Sequence, residues 1–282
     1  MVNFHIPGII NHLDVNLKLI RLIKSNPEYF YDGVKVAGVY GSFYSPWTGG
    51  RANTNNFLSY EQKIDIVKEL NSLGVGVLFT YTNTQLEERD LYDMYSNEDM
   101  SIIASNPLNK VIVVSDLLKT YIHSKYPDIK FISSIADDRD NVTNEEYEIC
   151  VLNASVNNTD ELFAMKNKSR IELLVNSNCV RHCPYEKQHY DNISLINLSK
   201  ATEIFQCPFE VEAVNDLESM KKNELFITVD DLYNKYVPSG FGVFKINGRQ
   251  TVDINVIDYY LYYMVKPEHQ EIVKELLSGG NE

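Results

Sequence analysis

No stretch of this chain approaches the roughly 18 consecutive apolar residues that a membrane span needs, so no spanning helix is expected. The first residues, MVNFHIPGIINHLD, have neither the basic stretch nor the long apolar core of a secretion leader, and the expected location is cytoplasmic. Cysteine is scarce, 4 in 282 residues. In a reducing compartment such thiols read as free or metal-bound rather than as disulfides. The Asn-x-Ser/Thr triplets at 141–143 and 192–194 then carry no glycosylation meaning. Basic residues are also short, 26 against 39 acidic ones, for a net charge of −13. That argues against a non-specific nucleic-acid binder, which needs a basic face to displace counterions. Small neutral or cationic ligands, or a protein partner, suit the bulk charge better. HExxH, GxSxG and P-loop motifs are all missing, and no GxGxxG follows the first apolar run. There is no low-complexity linker and no repeat of 20–50 residues, which points to a single domain over 1–282.

What is present is an alternation. Short β-branched apolar runs occur at 4–8, 34–41, 75–82, 110–116, 130–136, 148–155, 171–177 and 240–248. Their near-continuous hydrophobicity is that of strands covered on both faces. Helical patterns lie between them, at 16–25, 60–74, 117–128 and 228–240, and another follows the last run at 252–265. Eight strands alternating with helices predict an α/β fold: one (β/α)8 TIM-type barrel, with an open doubly wound sheet as the alternative. The strands turn polar at their C-terminal ends, at Ser42, Thr82, Asp116, Ser134, Asn153, Asn176 and Lys245. In a barrel those ends converge on the catalytic mouth, although any strand ends in polar residues.

Residues 178–225 form a long insertion after strand seven, and it holds three of the four cysteines, Cys179, Cys183 and Cys207. The C-x3-C spacing sets two thiols on one side of a turn or helix start. The next cysteine of a C-x3-C-x2-C radical motif is absent, because Glu186 stands there. Three readings stay open: an iron–sulfur cluster; zinc held by the three cysteines with His182 or His189; or free structural thiols. Cys150 falls within a predicted strand and reads as core.

Other residues point to ligand contact at the mouth. Lys245, Gly248 and Arg249 close the eighth strand, where Arg249 could clamp a carboxylate or phosphate, or brace the loop. The stretch SPWTGGR, 45–51, carries the one tryptophan, Trp47, then a glycine pair and Arg51. It reads as a substrate lid, or as a wide turn packed by Trp47. Glu172 interrupts an apolar strand, so it faces the barrel interior and needs a partner. An ion pair with Lys245 is the preferred reading and a catalytic base the other. His5 reads as a satisfied core histidine, and Asn176 as a strand-end contact.

Several of these segments, in this order, resemble the peptidase U32 family along nearly the whole chain. HIPG is similar to the family's first strand, and KVAGVYG to its A-x-Y-x-G second strand. VIVVSDLLKTYIHSKYPDIKFISS resembles its strand–helix–strand unit. IELLVNSNCV, FQCPFEVEAV and GFGVFKINGR resemble its later cysteine and signature blocks. The resemblance implies a barrel with a 4Fe-4S cluster, to which Cys179, Cys207 and, more loosely, Cys183 would contribute. It implies redox chemistry of the oxygen-independent hydroxylation kind on a small molecule or RNA base, beside an older peptidase label. Because some members work in pairs, it also allows a protein partner or homo-oligomer, including a non-catalytic subunit. The chain departs from the pattern at Asn247, where the family has Glu, and at Ala154 and Ser155, where it has Arg and Glu. The stretch NELFITVDD lacks the family's last cysteine.

Overall fold

The computed structural model describes residues 1–53, 57–137, 139, 141–209, 217–248 and 253–279, without the side chains of 253 and 254. Eight parallel strands close into a barrel: β1 (Val2–Pro7), β2 (Val34–Gly41), β3 (Gly76–Tyr81), β4 (Lys110–Val113), β5 (Lys130–Ser133), β6 (Tyr147–Val151), β7 (Ile171–Leu174) and β8 (Val243–Lys245). Each pairs with the next, and β8 returns to β1 through Asn3–Val243, Phe4–Phe244 and His5–Lys245. The (β/α)8 architecture expected from the alternation is the one observed. All eight runs are strands, several shorter than their apolar stretch. β4, for example, ends at Val113 because Ser115 two residues on already caps a helix, accepting from Leu118 N at 3.3 Å.

The helices are α1 (Leu13–Ser25), α2 (Tyr60–Ser72), α3 (Met94–Ile103), α4 (Asp116–Lys125), α5 (Asp160–Ala164), α6 (Glu186–Asn197), α7 (Leu217–Met220), α8 (Val229–Asp231), α9 (Asp253–Met264) and α10 (Gln270–Ser278). Ser59 opens α2 with a full capping box to Gln62. The helix expected over 228–240 is shorter: α8 passes into a π-turn at Leu232–Tyr236, and Gly240, at φ +102°, turns the chain toward β8. The insertion at 178–225 is not bare loop, since α6 and α7 lie in it. None of the described helices is long and apolar enough to cross a membrane.

Two cores follow from strand alternation. The larger lies between the sheet and the helices. A smaller one takes a single residue from each of β2 to β6, namely Tyr40, Leu78, Ile112, Ile132 and Val151, and fills one side of the barrel interior. The other side, from β7, β8 and β1, is charged: Glu172, Lys245 and His5.

A second buried charge cluster lies behind β3. Lys63 Nζ stands 2.7 Å from Asp99 Oδ1 and 3.1 Å from Glu98 Oε1. Burial pushes the Asp99 carboxyl up to about 7 against the pull of Lys63. A carboxyl raised on folding holds its proton more tightly in the native state, so its contribution declines with pH between the ordinary 3.8 and about 7. Asp99→Asn is expected to remove that slope. Urea midpoints at pH 5 and pH 7.5 should differ less in the variant than in the parent.

Candidate functional site

At the C-terminal ends of the strands lies a cavity of about 240 Å³. Thr80, Thr82, Ser134, Asn153 and Lys245 line it from the strand ends, with Tyr40 and Ile112 as its apolar floor. Cys179, Cys183 and Cys207 all face it, together with Glu186, His189, Tyr185, Arg51 and Asn247. Residues separated by nearly thirty positions thus share one wall. Cys150 does not: it is buried on β6, and its Sγ donates to Asn141 O at 2.8 Å.

The cysteine loop is held from below. Arg181 donates to Ser155 O, to Asn157 O at 3.2 Å, and through Nε to Glu224 Oε2 at 3.1 Å. His182, in the left-handed region at φ 51°, donates its backbone N–H to Ser155 Oγ at 2.8 Å. Asn223 Nδ2 donates to Cys179 O at 2.9 Å. Ala154 and Ser155 line the cavity, and Ser155 here serves as an anchor for the loop. Cys179 is exposed as a residue. Burial around its sulfur, then the Cys183 thiol beside it, pushes its thiol up to about 12. Glu186 opens α6 on the same wall and accepts from Asn153 Nδ2 at 2.7 Å, while burial raises its carboxyl.

Beneath the cavity, Glu172 is 0 % exposed. Its Oε2 accepts from His5 Nδ1, and its Oε1 stands 3.3 Å from Lys245 Nζ. Burial alone would raise this carboxyl; Lys245 and then His5 outweigh it and hold it at about 2. The Lys245 ammonium also sits 4.4 Å from the Tyr40 ring centre. The expected Glu172–Lys245 bridge is therefore present, with His5 as its third member. Glu172 is not on the cavity wall, so it sets the position of Lys245.

Asn176 is likewise buried and off the wall. It ties the ends of β7 and β8 together, donating to Asn247 O at 3.0 Å and accepting from Asn247 N at 2.6 Å. Trp47 decides between the two readings of its stretch in favour of the packed turn. It is 0 % exposed, packed edge-on to Tyr81 at 5.3 Å, and its Nε1 donates to Asp90 O at 2.8 Å. The glycine pair is not a hinge for opening: a Cβ on Gly49 would lie 2.0 Å from Thr82 O, so glycine is what permits this close approach. The stretch is stitched down by Asn197 Nδ2, which reaches Thr48 O at 2.7 Å and Arg51 O at 2.9 Å, and by Asn83 Nδ2, which reaches Pro46 O at 2.8 Å. Of this stretch, Gly50 and Arg51 line the cavity. Arg249 lies outside the described residues. The asparagines Asn83 and Asn197 and the anchor Arg181 escaped sequence reading, since a lone polar residue carries no spacing signal.

Among the described residues, no three His, Cys, Asp or Glu side chains are grouped as a single metal ion requires. A cluster makes a different demand, because its thiolates are spread over several irons. Three thiols line one cavity, with Glu186 and His189 as further donor side chains on its wall.

No family model and no curated protein sequence matches this chain. Among solved structures, that of the U32 peptidase Mk0906 matches with a TM-score of 0.51 at 15% identity, over 88% of this chain and 93% of that one. At that identity the likeness is one of fold: this is a U32-like barrel.

Proposed function

We propose that this U32-like barrel binds a 4Fe-4S cluster at its mouth and acts in redox chemistry, of the oxygen-independent hydroxylation kind, on a small molecule held in the same cavity. The observation that supports it is the sharing of one cavity by Cys179, Cys183 and Cys207 with Lys245 and Arg51. When bound, such a cluster supplies single electrons. The chain's own residues do the rest. Tyr185 lines the cavity beside the cysteines, Lys245 is held in place by Glu172, and the strand-end hydroxyls offer hydrogen bonds. Zinc is the alternative for the same thiols, and would need them to converge further. A thiol hydrolase is less well supported, since its cysteine needs a lowered pKa and the Cys179 thiol is pushed the other way. A non-catalytic subunit on the same fold is favoured by one feature, the use of Ser155 as a loop anchor.

Anaerobic purification with iron and sulfide assays tests the proposal. The expected result is a brown protein with about four irons per chain, and loss of most of that iron in Cys179→Ala and in Cys207→Ala. A colourless parent, or variants that keep their iron, would overturn it.

A further inference from the structure

We propose that the ligand of the mouth cavity carries an oxyanion, a carboxylate or a phosphate, and that Arg51 holds it. This rests on the cavity being the working site of the barrel, and not on the cluster. Arg51 lies on a wall common to two cavities: the one that holds the cysteines, and a second of about 430 Å³, where Asn11, Ser42, Thr48 and Asn53 join it. Its guanidinium is underused. Nη1 donates to the carbonyl of its own neighbour, Gly50, at 2.6 Å, and Nη2 reaches Asn247 Oδ1 at a long 3.5 Å. Nε is shut off from solvent and meets no acceptor among the described residues. Among the described residues, no carboxylate lies in ion-pair range of it, in a chain with 39 acidic residues.

The arginine fork suits two oxygens of one carboxylate or phosphate; Nε, closed to solvent, is closed to a ligand as well, so the contact falls to the η-nitrogens. The backbone that presents it is fixed, because Asn197 Nδ2 donates to Arg51 O at 2.9 Å. The other lysine or arginine that lines the cavity among the described residues, Lys245, is already committed to Glu172 at 3.3 Å. Of the two lysine and arginine side chains that line the cavity among the described residues, Arg51 is therefore the one without a carboxylate partner. With an oxyanion at this junction, the rest of the ligand has room on either side. The net charge of −13 favours neutral or cationic ligands for the surface as a whole; Arg51 is the local exception.

Isothermal titration with sodium phosphate and with sodium benzoate, against sodium chloride at equal ionic strength, tests this on the parent, Arg51→Gln and Arg51→Lys. The two salts separate a phosphate from a carboxylate preference. The parent is expected to bind at least one of them, and Arg51→Gln to bind it at least ~10-fold more weakly, the order of one charge-assisted hydrogen bond. Arg51→Lys, which keeps the charge without the fork, should fall between. Circular dichroism and melting curves establish that each variant folds, and the lysine variant decides the matter if the glutamine one does not. Binding no tighter than chloride in the parent, or unchanged binding in the variants, would overturn the assignment. Iron and sulfide are counted in the same samples. Anion binding by a parent that lacks iron would overturn the cluster and leave Arg51 in its role. Iron without anion binding would do the reverse.

Discussion

Lys245→Met is expected to destabilise the barrel by about 3–5 kcal/mol, because it leaves the Glu172 charge buried with only His5 beside it. Glu172 is 0 % exposed and reaches no solvent to make up the loss. The comparison that isolates the cause is the double variant Lys245→Met with Glu172→Gln. It removes both charges and should regain much of the loss, whereas a cost due to packing of the lysine stem would persist. Chemical denaturation of the three proteins at neutral pH checks this. The acid side gives a second reading. The Glu172 carboxyl sits at about 2 in the folded chain against an ordinary 4.5, so its contribution is full above 4.5 and is lost as pH falls through about 2. Without Lys245 the folded value rises, and this part of the acid limb should shrink. An unchanged acid limb in Lys245→Met would show that the pairing does not set the Glu172 charge.

Trp47→Ala should cost a similar amount, about 3–5 kcal/mol, the range for emptying a buried aromatic site. The indole fills the space against Tyr81 and Tyr121, at ring distances of 5.3 and 6.0 Å, and fastens residue 47 to Asp90. Its loss frees the segment that presents Arg51, so ligand affinity should fall together with stability. Because Trp47 is the only tryptophan, its fluorescence reports on this segment alone. Acrylamide should quench it weakly in the native protein. Strong quenching would mean that the segment opens to solvent, and would restore the lid reading that its burial decides against.

The barrel was legible because its signal is distributed. Eight apolar runs, each with the composition of a strand covered on both faces, leave few ways to bury so much surface, and an error at one end of one run changes little. The site was legible only in part. Cysteines are few enough that three within one insertion stand out, and Glu172 stands out as a charge inside an apolar strand. Trp47 and the glycine pair left two readings open, because an aromatic beside two glycines is compatible with a mobile flap and with a tightly packed turn. What separates the two is the 2.0 Å approach to Thr82 O, a contact across about thirty residues that leaves no trace in local sequence. Asn83 and Asn197 were missed for the same reason: their value lies in which carbonyls they meet.

Sequence by itself determined the number and order of the strands, the apolar identity of the core and the sulfur content of the insertion, all properties of composition and period along the chain. Tertiary structure decided what those residues face. It brought three thiols to one cavity, turned Glu172 away from the cavity and under Lys245, and left the Arg51 guanidinium with a buried donor and no carboxylate among the described residues. The reason is physical. Burial and hydrophobic period are set by neighbours in sequence, whereas charge pairing and the sharing of a cavity depend on distances between elements far apart in the chain, which exist only once the barrel has closed.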